Sequence, residues 1–208
     1  MKIEKIKRLL ANYGIDLIGI ANLEKVKIDP VEIGTSWSRA IVFGYVLSNE
    51  VLKTITDRPS LIYKHHYKTV NWILDQAAER LAHEIEKSSN RALAIPASQT
   101  VDRDRVRGHV SHKDLGCLAG LGFIGRSGLL INPEFGAHVR YATVLTDLKL
   151  KTGKPITKTC GRCKSCIEVC PAGAITEAGL DLNKCYNKLK EFAALPGIGQ
   201  NICGVCVK

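Results

Sequence analysis

The segment CGRCKSCIEVCPAGAIT, residues 160–176, holds four of the chain's eight cysteines within eleven residues, with a proline directly behind the fourth. The spacing is C-x2-C-x2-C-x3-C-P. Two-residue gaps let one tight loop present three thiolates to the corners of a compact iron–sulfur cube, its backbone N–H groups turned toward the sulfurs. Zinc sites more often pair two separated C-x2-C knuckles. Disulfide frameworks belong to small secreted chains, and nothing in this composition points outside the cell. The spacing therefore predicts a [4Fe-4S] site on Cys160, Cys163 and Cys166. Pro171 suits the first turn of a helix over PAGAIT.

Three further cysteines follow, Cys185 and then Cys203 and Cys206 in NICGVCVK. In two-cluster ferredoxins the fourth cysteine of the first motif ligates the other cluster. If Cys170 crosses over in that way, Cys170, Cys185, Cys203 and Cys206 form one complete four-thiolate set. The first set then has three ligands, and three explanations stay open: a truncated sequence, a three-iron or site-open cluster, or a contribution from Cys117. Cys117 stands alone in an apolar helical segment, where a buried inert thiol is the ordinary state.

Working outward from the cysteines, the lysine- and threonine-rich stretch KLKTGKPITKT marks a boundary near residue 150. Before it, residues 2–13 carry helical spacing, and IDLIGIA, RAIVFGYVL and RALAIPA read as buried strands. Residues 63–87 form a long helix with Asn90 as its end signal, and Ser111 caps a glycine-rich segment over 111–126. GLLINP and RYATVLTDL read as two more strands joined by a turn at PEFGA. Alternating strands and helices predict an α/β, layered domain over 1–150, followed by a small cysteine-rich domain over 151–208.

At 208 residues, 45% hydrophobic and 24% charged, the chain is long enough and apolar enough to bury a core. Its basic, then apolar N-terminus alternates lysines with apolar residues as an amphipathic helix does, with no small-residue cleavage site, which suggests a cytoplasmic protein. No apolar run reaches the length of a membrane span. The net charge of +10 suits a solvated lysine surface, a nucleic acid, or an acidic electron-transfer partner equally. GLGFIG fits G-x-G-x-x-G at Gly120, Gly122 and Gly125, but the strand that a dinucleotide site needs before it is missing.

The run AGLGFIGRSGLLINPEFG, Ala119 to Gly136, followed by TDL at Thr146–Leu148 and then by the cysteine motif, resembles epoxyqueuosine reductases. SRAIVFGYVLS and YKHHYKTVNWILDQAAERLA are similar to the family's N-terminal part. The resemblance implies a nitroreductase-like α/β domain holding a corrinoid (cobalamin), joined to a bacterial ferredoxin-like domain with two [4Fe-4S] clusters. It implies single-electron transfer from an electron-donor protein of ferredoxin or flavodoxin type, toward a small-molecule or tRNA-nucleoside substrate. Corrinoid-facing positions carry over onto Gly120, Gly122, Gly125 and Arg126, with Tyr63 and His66 on the matching helix. The family's proton-delivering acid matches Val106 without gaps, and Asp102 if four residues are inserted. His112 stands where the family has a glutamate, so Asp102 and His112 are the candidate catalytic residues. The chain lacks the C-terminal helical extension associated with transfer RNA, as a short paralogue would. A non-catalytic electron-carrier or interaction module is the alternative.

Overall fold

A computed structural model describes residues 1–15, 17–24, 26, 37–102 and 107–208. Its centre is a four-stranded sheet of β1 (Leu17–Asn22), β2 (Arg39–Val46), β3 (Ala92–Ile95) and β6 (Val139–Thr146), in the order β1-β2-β6-β3. Every pairing is antiparallel, with Phe43 opposite Ala142 and Ile41 opposite Val144. The strands are apolar on both faces because both faces are covered. Ile41, Phe43, Ala142 and Val144 point into a core shared with α1 (Ile3–Ala11) and α3 (Leu61–Glu86). The alternate residues Ala40, Val42, Tyr141 and Leu145 pack with Leu115 and Ala119, at the side of α4 (His112–Leu118). Period-two alternation along β2 and β6 thus makes three layers, helix, sheet and helix.

Helix α3 begins two residues before the expected start, because Ser60 accepts a hydrogen bond from Tyr63 N–H and caps it. Asn90 is not its stop. The helix ends at Glu86, and the chain reverses through Ser89, at φ 59°, while Asn90 Nδ2 donates to Ser88 O. The expected hairpin of GLLINP with RYATVLTDL does not form. Instead β5 (Leu130–Ile131) pairs with β4 (Phe123–Ile124) across a turn in which Gly128 N–H donates to Gly125 O. PEFGA does turn, held by the Asn132 side chain, which accepts from Glu134 and Phe135 N–H.

The cysteine-rich part contains α5 (Ser165–Glu168), the short hairpin of β7 (Ile175–Thr176) and β8 (Gly179–Leu180), and α6 (Leu182–Ala193), capped by Asp181. PAGAIT is not a helix. Gly173, at φ +55°, turns the chain there, and the segment enters β7. The last residues return to the first layer: Ile198, Ile202 and Val205 are buried in the same core as α1 and α3. Lys208 Nζ donates to Ile55 O, and Lys64 Nζ to Gly197 O, so this return packs beside the N-terminal end of α3. Helix α1 reaches the other end, where Lys5 pairs with Glu84. The rise per residue separates Tyr63 from Glu84 by about 30 Å. Among the described residues, no helix is long and apolar enough to cross a membrane.

Candidate functional site

The cysteine side chains sort into two groups by the charges they feel. The Cys166 thiol is pushed up by burial and then by Cys160 and Cys163. Cys163, the one cysteine classed as exposed, is lowered by hydrogen bonds from the Ser165 backbone and side chain. In the other group, burial raises Cys206 to about 12, assisted by Cys203, Cys185 and Cys170. Burial likewise raises Cys203 to about 11, against a Val205 N–H, with Cys185 and Cys170 adding to it. Cys185 is raised by burial and by Cys170. The fourth cysteine of the first motif therefore sits electrostatically with the later three.

Backbone donors face both groups. Arg126 N–H points at Cys160 Sγ at 3.4 Å, and Ala174 N–H at Cys170 Sγ at the same distance. Among the described residues, no three His, Cys, Asp or Glu side chains converge on a position for one metal ion. A mononuclear zinc would need its thiolates about 2.3 Å from a common centre. Cys117 lies on α4 against the second core, away from both groups.

One cavity is lined by these thiols and a second lies beside it. The first, about 470 Å³, is lined by Cys160, Cys163 and Cys166 together with Cys206, so the two groups meet across it. The second, about 230 Å³, shares Ala137 and Val207 with the first and carries Tyr63, His112, Arg140 and Tyr141 in its wall. Tyr63 is buried, its phenol pushed up to about 12 by burial, and its ring blocks any side chain at Gly204, between Cys203 and Cys206. Tyr63 thus touches the loop of the second thiol group and lines the second cavity.

His112 is half-buried at the start of α4, and both ring nitrogens are engaged. Nε2 faces Pro96 O at 3.0 Å, and Nδ1 faces Thr143 Oγ1 at 2.8 Å. A carbonyl only accepts, so Nε2 carries the proton and Nδ1 accepts from the threonine hydroxyl. Burial, more than any neighbouring charge, holds this imidazole below its ordinary pKa and therefore neutral. Arg140 lies 3.9 Å over the Tyr67 ring and donates from Nε to Asn71 at 2.6 Å. Burial works to raise the Tyr67 phenol, but Arg140 and the hydrogen bonds from Ser98 and Asn71 outweigh it and lower it. Among the described residues, Tyr141 Oη is buried without a hydrogen-bond partner. Asn132 approaches it, but that side chain is committed to Leu121 O and to the Glu134 and Phe135 N–H groups.

The remaining expected residues fall elsewhere. His66 lines neither cavity; its Nε2 accepts from Ser48 N–H and steadies the start of α2 (Asn49–Lys53). Asp102 bridges to Arg107 in a loop, and Val106 lies outside the described residues. The glycines of GLGFIG are closed off by the chain itself. A Cβ on Gly120, at φ +79°, would sit 2.6 Å from Lys154 O, one on Gly122 would sit 2.3 Å from Ile131 O, and one on Gly125 would press on the Ile131 side chain at 2.7 Å. Arg126 turns toward the cysteine loop, donating to Cys163 O at 2.8 Å and Gly161 O at 3.0 Å. Gly125 and Arg126 thus border the thiol site, while Gly120 and Gly122 pack against Lys154 and Ile131. Arg140 and Tyr141 went unnoticed in sequence. The only trace was the bulky pair Arg140 and Tyr141 in the β6 run VRYATVLT.

The fold and the thiol arrangement define a mixed α/β protein with a double cysteine site. No family model matches the chain. In sequence it is epoxyqueuosine reductase-like over part of its length. It is 38% identical over 79 residues to the epoxyqueuosine reductase of Bacillus cereus, covering 38% of this chain and 21% of the relative. It is 27% identical over 160 residues to that of Salmonella typhimurium, covering 75% of this chain and 40% of the relative. The chain thus spans well under half of these relatives' length. In fold it is similar to a reductive dehalogenase whose structure is described as suggesting a mechanism for B12-dependent dehalogenation, with a TM-score of 0.79 and 21% identity over 99% of this chain and 30% of that one. It is also similar to an epoxyqueuosine reductase solved with a tRNA-Tyr epoxyqueuosine-modified stem loop, with a TM-score of 0.63 and 18% identity over 90% of this chain and 56% of that one.

Proposed function

We propose that the chain is an iron–sulfur oxidoreductase, related in function to epoxyqueuosine reductases, in which Cys160, Cys163 and Cys166 hold one [4Fe-4S] cluster and Cys170, Cys185, Cys203 and Cys206 hold a second. The observation that carries this reading is geometric: Cys160, Cys163, Cys166 and Cys206 line one cavity, with backbone amides aimed at Cys160 and Cys170. Thiols within electrostatic reach of one another that do not converge on a single point suit a cube, which spreads its corners, better than one ion. When bound, such clusters supply single-electron transfer.

The chain's own residues arrange that chemistry. Arg126 fixes the loop that carries Cys160 and Cys163, and the thiols of the second group are half-buried. Cys206 reaches the cavity of the first group, and Tyr63 links its loop to the second cavity. There, neutral His112 holds a proton on Nε2 against Pro96 O, Arg140 brings positive charge, and Tyr141 offers an unspent hydroxyl. These groups suit a polar organic substrate, and a tRNA nucleoside is the class that the relatives' name suggests. A corrinoid-type cofactor is suggested by the B12-dependent neighbour, and a cavity of about 230 Å³ is too small to enclose one. The first group's fourth ligand stays unassigned. The partition is tested by Cys170→Ala, with iron counted per chain after anaerobic reconstitution. The variant keeps the iron of the first group and loses that of the second. Loss of the first group alone refutes the crossover.

A further inference from the structure

Around the first thiol group the chain is predominantly basic, with Glu168 as the acid beside Val169. Between Leu148 and Ile167 there are six Lys or Arg and no Asp or Glu. Lys164 pairs with Glu177, and Arg126 is spent on the loop carbonyls. Lys158 and Arg162 are exposed, and among the described residues neither has an ion-pair or hydrogen-bonding partner. They flank Cys160 and the exposed Cys163 in sequence. Two apolar side chains lie bare beside the same thiols. Val169, 49% exposed, lines the first cavity, and Ile124, 42% exposed, adjoins Gly125, whose Cβ position is 3.4 Å from Cys160 Sγ. Bare apolar side chains with a charged surround are the anatomy of a protein contact.

The geometry points to this face, Ile124 and Val169 with Lys158 and Arg162, as the docking surface for a small acidic one-electron carrier protein of flavodoxin or ferredoxin type. This inference rests on the cluster reading given above. Positive charge around an exposed ligand of the redox site steers a negatively charged carrier to the point of shortest transfer, and does so by raising the encounter rate. The carrier is oxidised by one electron, the site at Cys160, Cys163 and Cys166 is reduced by one, and no bond or proton is exchanged. Nucleic acid is the rival occupant of a basic face. It is disfavoured here because the free cations surround a thiol loop with apolar neighbours, not a row of phosphate-spaced side chains.

The test uses an acidic flavodoxin as the probe and the reconstituted protein carrying Lys158→Glu together with Arg162→Glu. A control carries Lys2→Glu just before α1 and Lys7→Glu on it, the same charge change near the far end of α3. The thiol-face variant is expected to bind the flavodoxin about tenfold or more weakly than wild type and the control at low salt. The difference should shrink at high salt, where the Debye length falls to about 3 Å. Equal binding by the thiol-face variant and wild type overturns the proposal. So does a variant that loses affinity for an RNA stem loop while keeping the flavodoxin. Dithionite, which needs no docking face, separates the two levels of failure. Normal bleaching by dithionite with unchanged flavodoxin binding overturns the docking face alone, whereas protein without colour to bleach overturns the cluster reading beneath it.

Discussion

Arg126 offers the sharpest local test, because its side chain does one identifiable thing. Its guanidinium donates two hydrogen bonds to carbonyls of the cysteine loop, at 2.8 Å to Cys163 and 3.0 Å to Gly161, while its backbone N–H serves Cys160 Sγ. Arg126→Ala removes the first two and leaves the third. Hydrogen bonds to a charged donor contribute about 1.5–3 kcal/mol each when buried. Arg126 is only half-buried, so about 1 kcal/mol apiece, or about 2 kcal/mol together, is the reasonable figure after solvent screening. That corresponds to about a 30-fold shift in how often the loop opens. The assay is the rate at which a chelator strips iron from the first group under anaerobic conditions, with the second group as internal reference. Arg126→Ala should accelerate the first release about 30-fold and leave the second alone, and Arg126→Lys, which keeps the charge without the fork, should recover less than half of the loss. A first-group release rate equal to wild type in the alanine variant would refute the clasp.

Two more outcomes follow from the geometry. His112 is held neutral by burial, so its folded pKa lies below the unfolded value of about 6.5. In that window the unfolded chain binds more protons, and the contribution of His112, complete above about pH 6.5, is lost as pH falls through the folded value. Denaturant titrations should show wild type losing stability relative to His112→Gln between pH 7 and 5 or so, and a pH-independent difference would contradict a ring held neutral by burial. Gly122→Ala drives a methyl toward the Ile131 carbonyl, 2.3 Å away, which is backbone and cannot swing aside. A loss of about 2–4 kcal/mol in unfolding free energy is expected, and a neutral substitution would show that the segment is not packed as described.

The cysteine spacing and the period-two and helical patterns were legible because each is a local rule. β2 lies within RAIVFGYVL, β3 within RALAIPA, and α3 departs from the expected helix by two residues at its start. What was not legible depended on partners distant in sequence. The glycines of GLGFIG announced that something must come close, but not that it would be Lys154 and Ile131 of the same chain rather than a ligand. Pro171 permitted a helix that Gly173 then turned away from. Arg140 and Tyr141 looked like strand residues until the sheet order put β6 between β2 and β3, beside α3 and α4. His112 was marked only by the family resemblance, and only the fold supplies Pro96 and Thr143 to engage both of its nitrogens.

The most direct measurement is elemental: iron, acid-labile sulfide and zinc per chain, in protein purified and reconstituted without oxygen. Brown protein is expected, with iron and sulfide in nearly equal amounts and zinc far below one per chain. Colourless protein, or a tightly held zinc on these cysteines in place of iron, would contradict it.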